Sequence, residues 1–261
     1  MKKALILFLI SSFLVITAFQ EESFKARQMK YPRVRKAYQD KKETVEKTLS
    51  GHSIQVSELE VFIRIFKQEK ELELWGRNHA DTSFVLLRSF PVCVTSGEAG
   101  PKRQQGDYQI PEGFYHVDAF NPWSSFYLSM RISYPNPSDR LLGLKDRLGG
   151  NICIHGACVT IGCVPLTDEL IKELYIYCVE ARNNGQEKIR VHIYPERLTD
   201  ENCSRLLDKH QGEGDKVLLW EELKVAHDIF DSVRVPAEVS FLENGRHRVR
   251  PVTDLRKVCQ G

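Results

Sequence analysis

The segment Asn151-Ile152-Cys153-Ile154-His155-Gly156-Ala157-Cys158-Val159-Thr160-Ile161-Gly162-Cys163-Val164-Pro165-Leu166-Thr167-Asp168 concentrates one histidine, three cysteines and two glycines. Alternation from Ile152 to His155 predicts a strand with the isoleucines on one face and Cys153 and His155 on the other. Gly156 permits a sharp exit from it. Thr167-Asp168 begins a helix with acidic residues in its first turn. Leu170, Leu174, Tyr177, Cys178 and Ala181 follow at helical spacing, and Asn183-Asn184-Gly185 stops it.

This arrangement suits a reactive thiolate. Cys163 stands just before a helix start, where the positive end of the macrodipole favours an anion. His155, eight positions earlier (163 − 155), can fold back to take its proton. Gly162 would let backbone N–H groups around Cys163 approach a reacting carbonyl as an oxyanion hole. Cys153, His155, Cys158 and Cys163 are also zinc-ligand types, but structural zinc sites draw ligand pairs from two separate knuckles. No metal and no organic cofactor is therefore expected. A structural disulfide of Cys158 with Cys153 or Cys163 is a further alternative. Otherwise Cys158 lines the pocket, tunes Cys163 or packs.

On these residues the stretch resembles the signature of the L,D-transpeptidase catalytic domain, a family of bacterial cell-wall enzymes with a cysteine nucleophile. Its common pattern is a His-Gly upstream of Ser-x-Gly-Cys, matched here by His155-Gly156 and Thr160-Ile161-Gly162-Cys163-Val164. The short His-to-Cys interval, Cys158 between them and Pro165 in place of the usual arginine resemble the murein L,D-transpeptidase branch. The resemblance implies Cys163 as nucleophile, His155 as proton acceptor and donor, and support from Gly156, Thr160 and Gly162. It implies peptidoglycan stem peptides as substrate, with an amine acceptor peptide or an envelope protein as further partner. Release of peptidoglycan-attached material by hydrolysis is the alternative. A peptidoglycan-binding module without chemistry is a second, and it would need no activated thiol.

Working outward, Val61–Phe66 and Glu71–Trp75 alternate as a hairpin, and Phe84–Leu87 and Pro91–Val94 read as further strands. Pro111-Glu112-Gly113 is a turn into a strand; beside the signature it resembles the family's Pro-x-Gly segment, as Gly100-Pro101-Lys102 and Gly106-Asp107 resemble the branch. The likeness runs from about Val61 to about Arg197. Phe126–Ile132 and Lys188–Tyr194 complete the strands, with His192 as a surface or edge histidine. The turn formers from Tyr134 to Arg140 suggest a loop beside the site, so Tyr134, Asn136, Asp139, Arg140 and Cys158 are candidate substrate or lid residues. Packed Tyr134 and a solvated Asp139-Arg140 pair are the alternative. The fold class expected is mostly β with α: an L,D-transpeptidase-like β sandwich or barrel with packed helices and a helical C-terminal extension.

With 261 residues the chain can bury a full core. A formal net charge of +2 gives no electrostatic case for nucleic acid. Lys2-Lys3 followed by the apolar run Ala4–Phe19 reads as a secretory signal, with an uncleaved anchor as the alternative. The expected location is the periplasm or cell envelope, without a stable membrane span after cleavage. The expected divisions are signal 1–20, helical or flexible lead-in 21–57, catalytic domain 58–197 and accessory extension 198–261. The extension carries a helical start at Thr199, a helix over Val217–Phe230 and a hairpin turned at Asn244-Gly245. Seven cysteines leave an odd thiol, which a free Cys163 explains, and Cys203–Cys259 is a candidate C-terminal bridge.

Overall fold

The computed structural model describes residues 22–252; the apolar leader and Cys259 lie outside them. Strands β1 (Leu59–Phe66), β2 (Glu71–Asn78), β3 (Val85–Pro91), β4 (Gly113–Asn121), β5 (Ser129–Ile132), β6 (Cys153–His155), β7 (Val164–Pro165) and β8 (Ile189–Tyr194) form one sheet. Its order is β3-β2-β1-β8-β4-β5-β6-β7. The β1–β8 and β6–β7 pairs are parallel and the others antiparallel. With helices packed on this mixed sheet and a helical C-terminal extension, the expected class holds.

The sheet curls until its two edges meet. The chain leaving β3 passes beside β7, where the Cys93 N–H donates to the Pro165 carbonyl at 2.9 Å. A disulfide between Cys93 and Cys158 closes the gap covalently.

One face of the sheet is covered by helices α1 (Phe24–Met29), α2 (Pro32–Gly51) and α4 (Asp168–Asn183). Pro32 opens α2 at a first-turn position, where its missing N–H costs no hydrogen bond. Val34, Ala37, Tyr38, Val45 and Leu49 recur at helical spacing and are buried in the main core. Helix α4 lies between α2 and the sheet, so every residue from Ile171 to Ala181 is buried. Its charged members are paired: Glu180 accepts from the Tyr38 hydroxyl at 2.9 Å, and Lys172 reaches Asp40 at 2.9 Å. Thr167 caps the helix by accepting from the Leu170 N–H.

The other face is covered by the extension. Helices α5 (Asp200–Lys209) and α6 (Gly214–Val233) and the hairpin β9 (Glu238–Phe241)–β10 (His247–Arg250) follow β8. Leu219, Trp220, Leu223 and Ala226 of α6 pack on Phe66, Phe114 and Tyr194 of the sheet. This cover changes the reading of His192. It does point away from the isoleucine row, yet it is 2% exposed, held between Phe62 and Phe114 at 4.8 and 4.9 Å. Burial and the nearby Arg190 and Arg64 depress its pKa well below the ordinary histidine value. The expected surface histidine is a neutral core group.

Cys203 is buried in α5, and its candidate partner Cys259 lies outside the described residues. One further expectation is corrected. Strand β5 begins at Ser129, three residues later than the apolar pattern suggested, because the chain turns before it, with Tyr127 at φ +69°.

Candidate active site

The β6–β7 pair sets the site. Ile154 lies opposite Val164 and His155 opposite Pro165, so one step back along the parallel register places Cys163 opposite Cys153. Strand alternation then puts Cys153, His155 and Cys163 on one side.

Beyond β6 the chain turns through a loop fixed at several points. Gly156 donates to the Leu128 carbonyl at 3.1 Å, and the Ala157 N–H to Asp168 Oδ1 at 2.9 Å. A Cβ on Gly156 would sit 2.6 Å from that carboxylate oxygen, so only glycine fits. Cys158 is tied to Cys93. This corrects both readings of Cys158: it pairs with neither Cys153 nor Cys163, and it offers no free thiol to substrate. Thr160 staples the last turn, its hydroxyl accepting from Gly162 N–H at 3.0 Å and donating to the Cys163 carbonyl at 2.7 Å. Gly162 has φ +132°, and a side chain there would meet the Gln109 carbonyl at 3.0 Å. Its N–H is given to the Thr160 hydroxyl.

Cys163 is half-buried. Its sulfur accepts from the Cys153 N–H at 3.4 Å and lies 3.8 Å from the Asn151 carbonyl, which the Cys153 thiol also meets at 3.4 Å. A hydrogen bond from the Cys153 thiol, more than any other contact, draws the Cys163 pKa down, to about 5, against the opposing effect of burial; a hydrogen bond from His155 adds to it. Cys153 is driven the other way, chiefly because its proton serves its neighbour. A thiolate on Cys163 beside a neutral thiol on Cys153 is the state these contacts favour. Of the sources expected, the His155 imidazole is among the contacts that lower the Cys163 pKa; the Cys153 thiol is one that the sequence reading did not include.

His155 is 1% exposed. Its Nδ1 bonds the Gly156 carbonyl, which fixes Nδ1 as the protonated nitrogen and leaves Nε2 for the thiol. Phe126 lies against the imidazole, ring centroids 4.6 Å apart. Phe126, Cys153 and Asn151 were missed as site residues, and the pairing of Cys153 with Cys163 follows only from the β6–β7 register.

The suggested lid is structural. Residues Pro137–Leu142 form α3, started by a capping box in which Asn136 accepts from the Asp139 N–H and Asp139 from the Asn136 N–H. Tyr134, Asn136 and Asp139 are buried. Asp139 accepts from Tyr115 and Arg103 at 3.0 and 3.1 Å, and burial pushes its pKa up to about 6. Arg140 alone of the four is exposed. It lines a cavity of about 480 Å³ that Cys163 and His155 do not line.

Among the described residues no group of three or more His, Cys, Asp or Glu side chains is arranged to hold a metal ion. No helix among them is long and apolar enough to cross a membrane.

Residues 60–217 match the family model of the L,D-transpeptidase catalytic domain, YkuD. The chain is 39% identical over 191 residues to the Escherichia coli (strain K12) protein named "Putative L,D-transpeptidase YafK", covering 72% of this chain and 73% of that one. Among solved structures, the helical cell shape determining protein Pgp2 of Campylobacter jejuni aligns at 17% identity and TM-score 0.43, covering 71% and 74% of the two chains. Bd1075 of Bdellovibrio bacteriovorus aligns at 16% identity and TM-score 0.38, covering 69% and 73%.

Proposed function

From the premise that this chain belongs to the L,D-transpeptidase catalytic-domain family, we propose that it is an exported cysteine acyltransferase acting on peptidoglycan stem peptides. The observation that carries this reading is Cys163, whose sulfur is met by the Cys153 N–H, the Cys153 thiol and His155. The Cys163 thiolate attacks the carbonyl of an L-to-D peptide link. The Cys163 backbone N–H, which bonds no acceptor among the described residues, is the donor left to the oxyanion. The Nδ1 bond to Gly156 keeps His155 oriented as it takes the thiol proton and returns it to the leaving amine. A thioester on Cys163 results. An incoming amine then gives a cross-link or an attached protein, and water gives hydrolytic release.

Export is supported by Lys2-Lys3 and the apolar run after them, and by the Cys93–Cys158 disulfide, a bond typical of oxidising compartments. The test is intact mass of the leader-free protein after incubation with muropeptides. An acyl adduct mapping to Cys163, absent from Cys163→Ala, is the expected result, and the released products separate transfer from hydrolysis. His155→Ala should slow acylation ~100-fold or more, as loss of a general base does. An adduct that persists in Cys163→Ala would refute the assignment.

A further inference from the structure

The contacts at Cys163 include one group that acyl transfer does not consume, the Cys153 thiol. The β6–β7 register sets the two cysteines opposite each other on adjacent parallel strands, with side chains on the same side. Neighbouring strands lie about 4.8 Å apart, within the Cα separation of about 4.4–6.8 Å that a disulfide spans. The Cys153 N–H donates to the Cys163 sulfur at 3.4 Å, and the Cys153 and Cys163 sulfurs both contact the Asn151 carbonyl, at 3.4 and 3.8 Å. Both residues are half-buried, so small reagents reach them.

Among the described residues no other cysteine can serve the same purpose. Cys93 and Cys158 are bonded to each other, and Cys178 and Cys203 are buried. We infer that Cys153 is the resolving thiol of a reversible oxidation site at Cys163, with peroxides as the reactant class. The Cys163 thiolate attacks one peroxide oxygen and breaks the O–O bond, giving a sulfenic acid and hydroxide. The Cys153 sulfur then attacks the sulfenic sulfur, the S–O bond breaks, and the leaving hydroxide takes the Cys153 proton as water. The peroxide is reduced by two electrons and the two thiols become one disulfide, which an external thiol reverses.

Cys153 stays a protonated thiol beside Cys163, so it is poised without being reactive itself. The bonded state has no nucleophile. It stores Cys163 at the first oxidation level instead of letting it pass to the irreversible sulfinic acid. The consequence for turnover rests on the proposed function; the thiol chemistry does not.

The test uses the purified protein and hydrogen peroxide at a few equivalents. Free thiols are alkylated with one reagent, disulfides are reduced, and the released thiols are labelled with a second. Cys153 and Cys163 should move together from the first label to the second in a monomer lighter by two hydrogens, while Cys93 and Cys158 carry the second label throughout. In Cys153→Ser, reduction after peroxide should recover ~10-fold less Cys163 thiol, the rest being sulfinic or sulfonic acid. In Cys163→Ser, Cys153 should keep the first label. Equal over-oxidation of Cys163 in wild type and Cys153→Ser, or oxidation of Cys153 in Cys163→Ser, overturns the inference. No readout requires turnover of a stem peptide. A protein that forms the 153–163 bond but no muropeptide adduct would lose the proposed function alone, and the reverse result would remove only this inference.

Discussion

Cys163 reacts as its neighbours dictate. A thiol hydrogen bond from Cys153 and an imidazole hydrogen bond from His155 stabilise the anion more than burial opposes it. Alkylation by iodoacetamide requires the thiolate, so its rate rises with pH through the pKa and then levels off. The midpoint for Cys163 is expected near 5, where an isolated cysteine turns over at about 8.5. Cys153→Ala and His155→Ala should each move it back toward that value. A wild-type midpoint above neutrality would show that the neighbours do not activate the thiol. Cys163 and His155 were legible as candidates because His155-Gly156 and Thr160-Ile161-Gly162-Cys163 resemble the family signature. The resolving cysteine was not. Alternation assigned Cys153 to the face of His155, but its partner is set by a parallel pairing of two short strands with no periodicity of its own.

Among the elements, the loop from Gly156 to Gly162 is held by backbone contacts, one carboxylate, one hydroxyl and one disulfide. The Cys93–Cys158 bond closes a long stretch of chain, spanning 65 positions. Its removal in Cys93→Ala/Cys158→Ala should lower unfolding stability by ~2–4 kcal/mol in urea titrations, with a larger effect on acylation than on fold. Thr160→Val removes both bonds of the Thr160 hydroxyl and strands the Gly162 N–H. A stability loss of ~1–3 kcal/mol is expected, with slower acylation in the same mass assay, because the turn carrying Cys163 relaxes. The strands with clean alternation and the long apolar-faced helices could be read from the sequence. Helix α3 could not be, since Pro-Asn-Pro-Ser-Asp satisfies a turn as well as a helix start. Its capping box, Asn136 with Asp139 three residues on, was the signal available. The pairing of Cys93 with Cys158 depends on how far the sheet curls, which no local pattern encodes.

At the scale of the molecule, the extension belongs to the core. Glu112, the middle residue of the Pro-x-Gly turn, is buried and accepts from Lys67 at 2.8 Å, Trp220 at 2.7 Å and the Gly100 N–H at 2.7 Å. Lys67 in turn donates to the carbonyls of Glu98, Gly100 and Ile110. Breaking a buried pair from one side leaves an uncompensated charge, so Lys67→Met should cost ~3–5 kcal/mol, measured by denaturant unfolding. A loss below ~1 kcal/mol would mean that water reaches Glu112. A second network, Arg64 with Glu73 at 2.8 Å and Asp231 at 2.8 Å, joins β1 and β2 to α6. The burial of His192 was illegible because the rings that enclose it, Phe62 and Phe114, lie far from it in sequence.

Strand β8 lies between β1 and β4, although it is the last strand of the sheet in chain order. Until Tyr194 has been made, the strands before it have no central member to join them, and the cover from α6 comes later still. At ~5–20 residues per second, the 128 residues from Phe66 to Tyr194 (194 − 66) leave them apart for roughly 6–26 s. Folding therefore waits for the carboxyl-terminal third of the polypeptide, and the nascent chain stays threadable for most of its time on the ribosome.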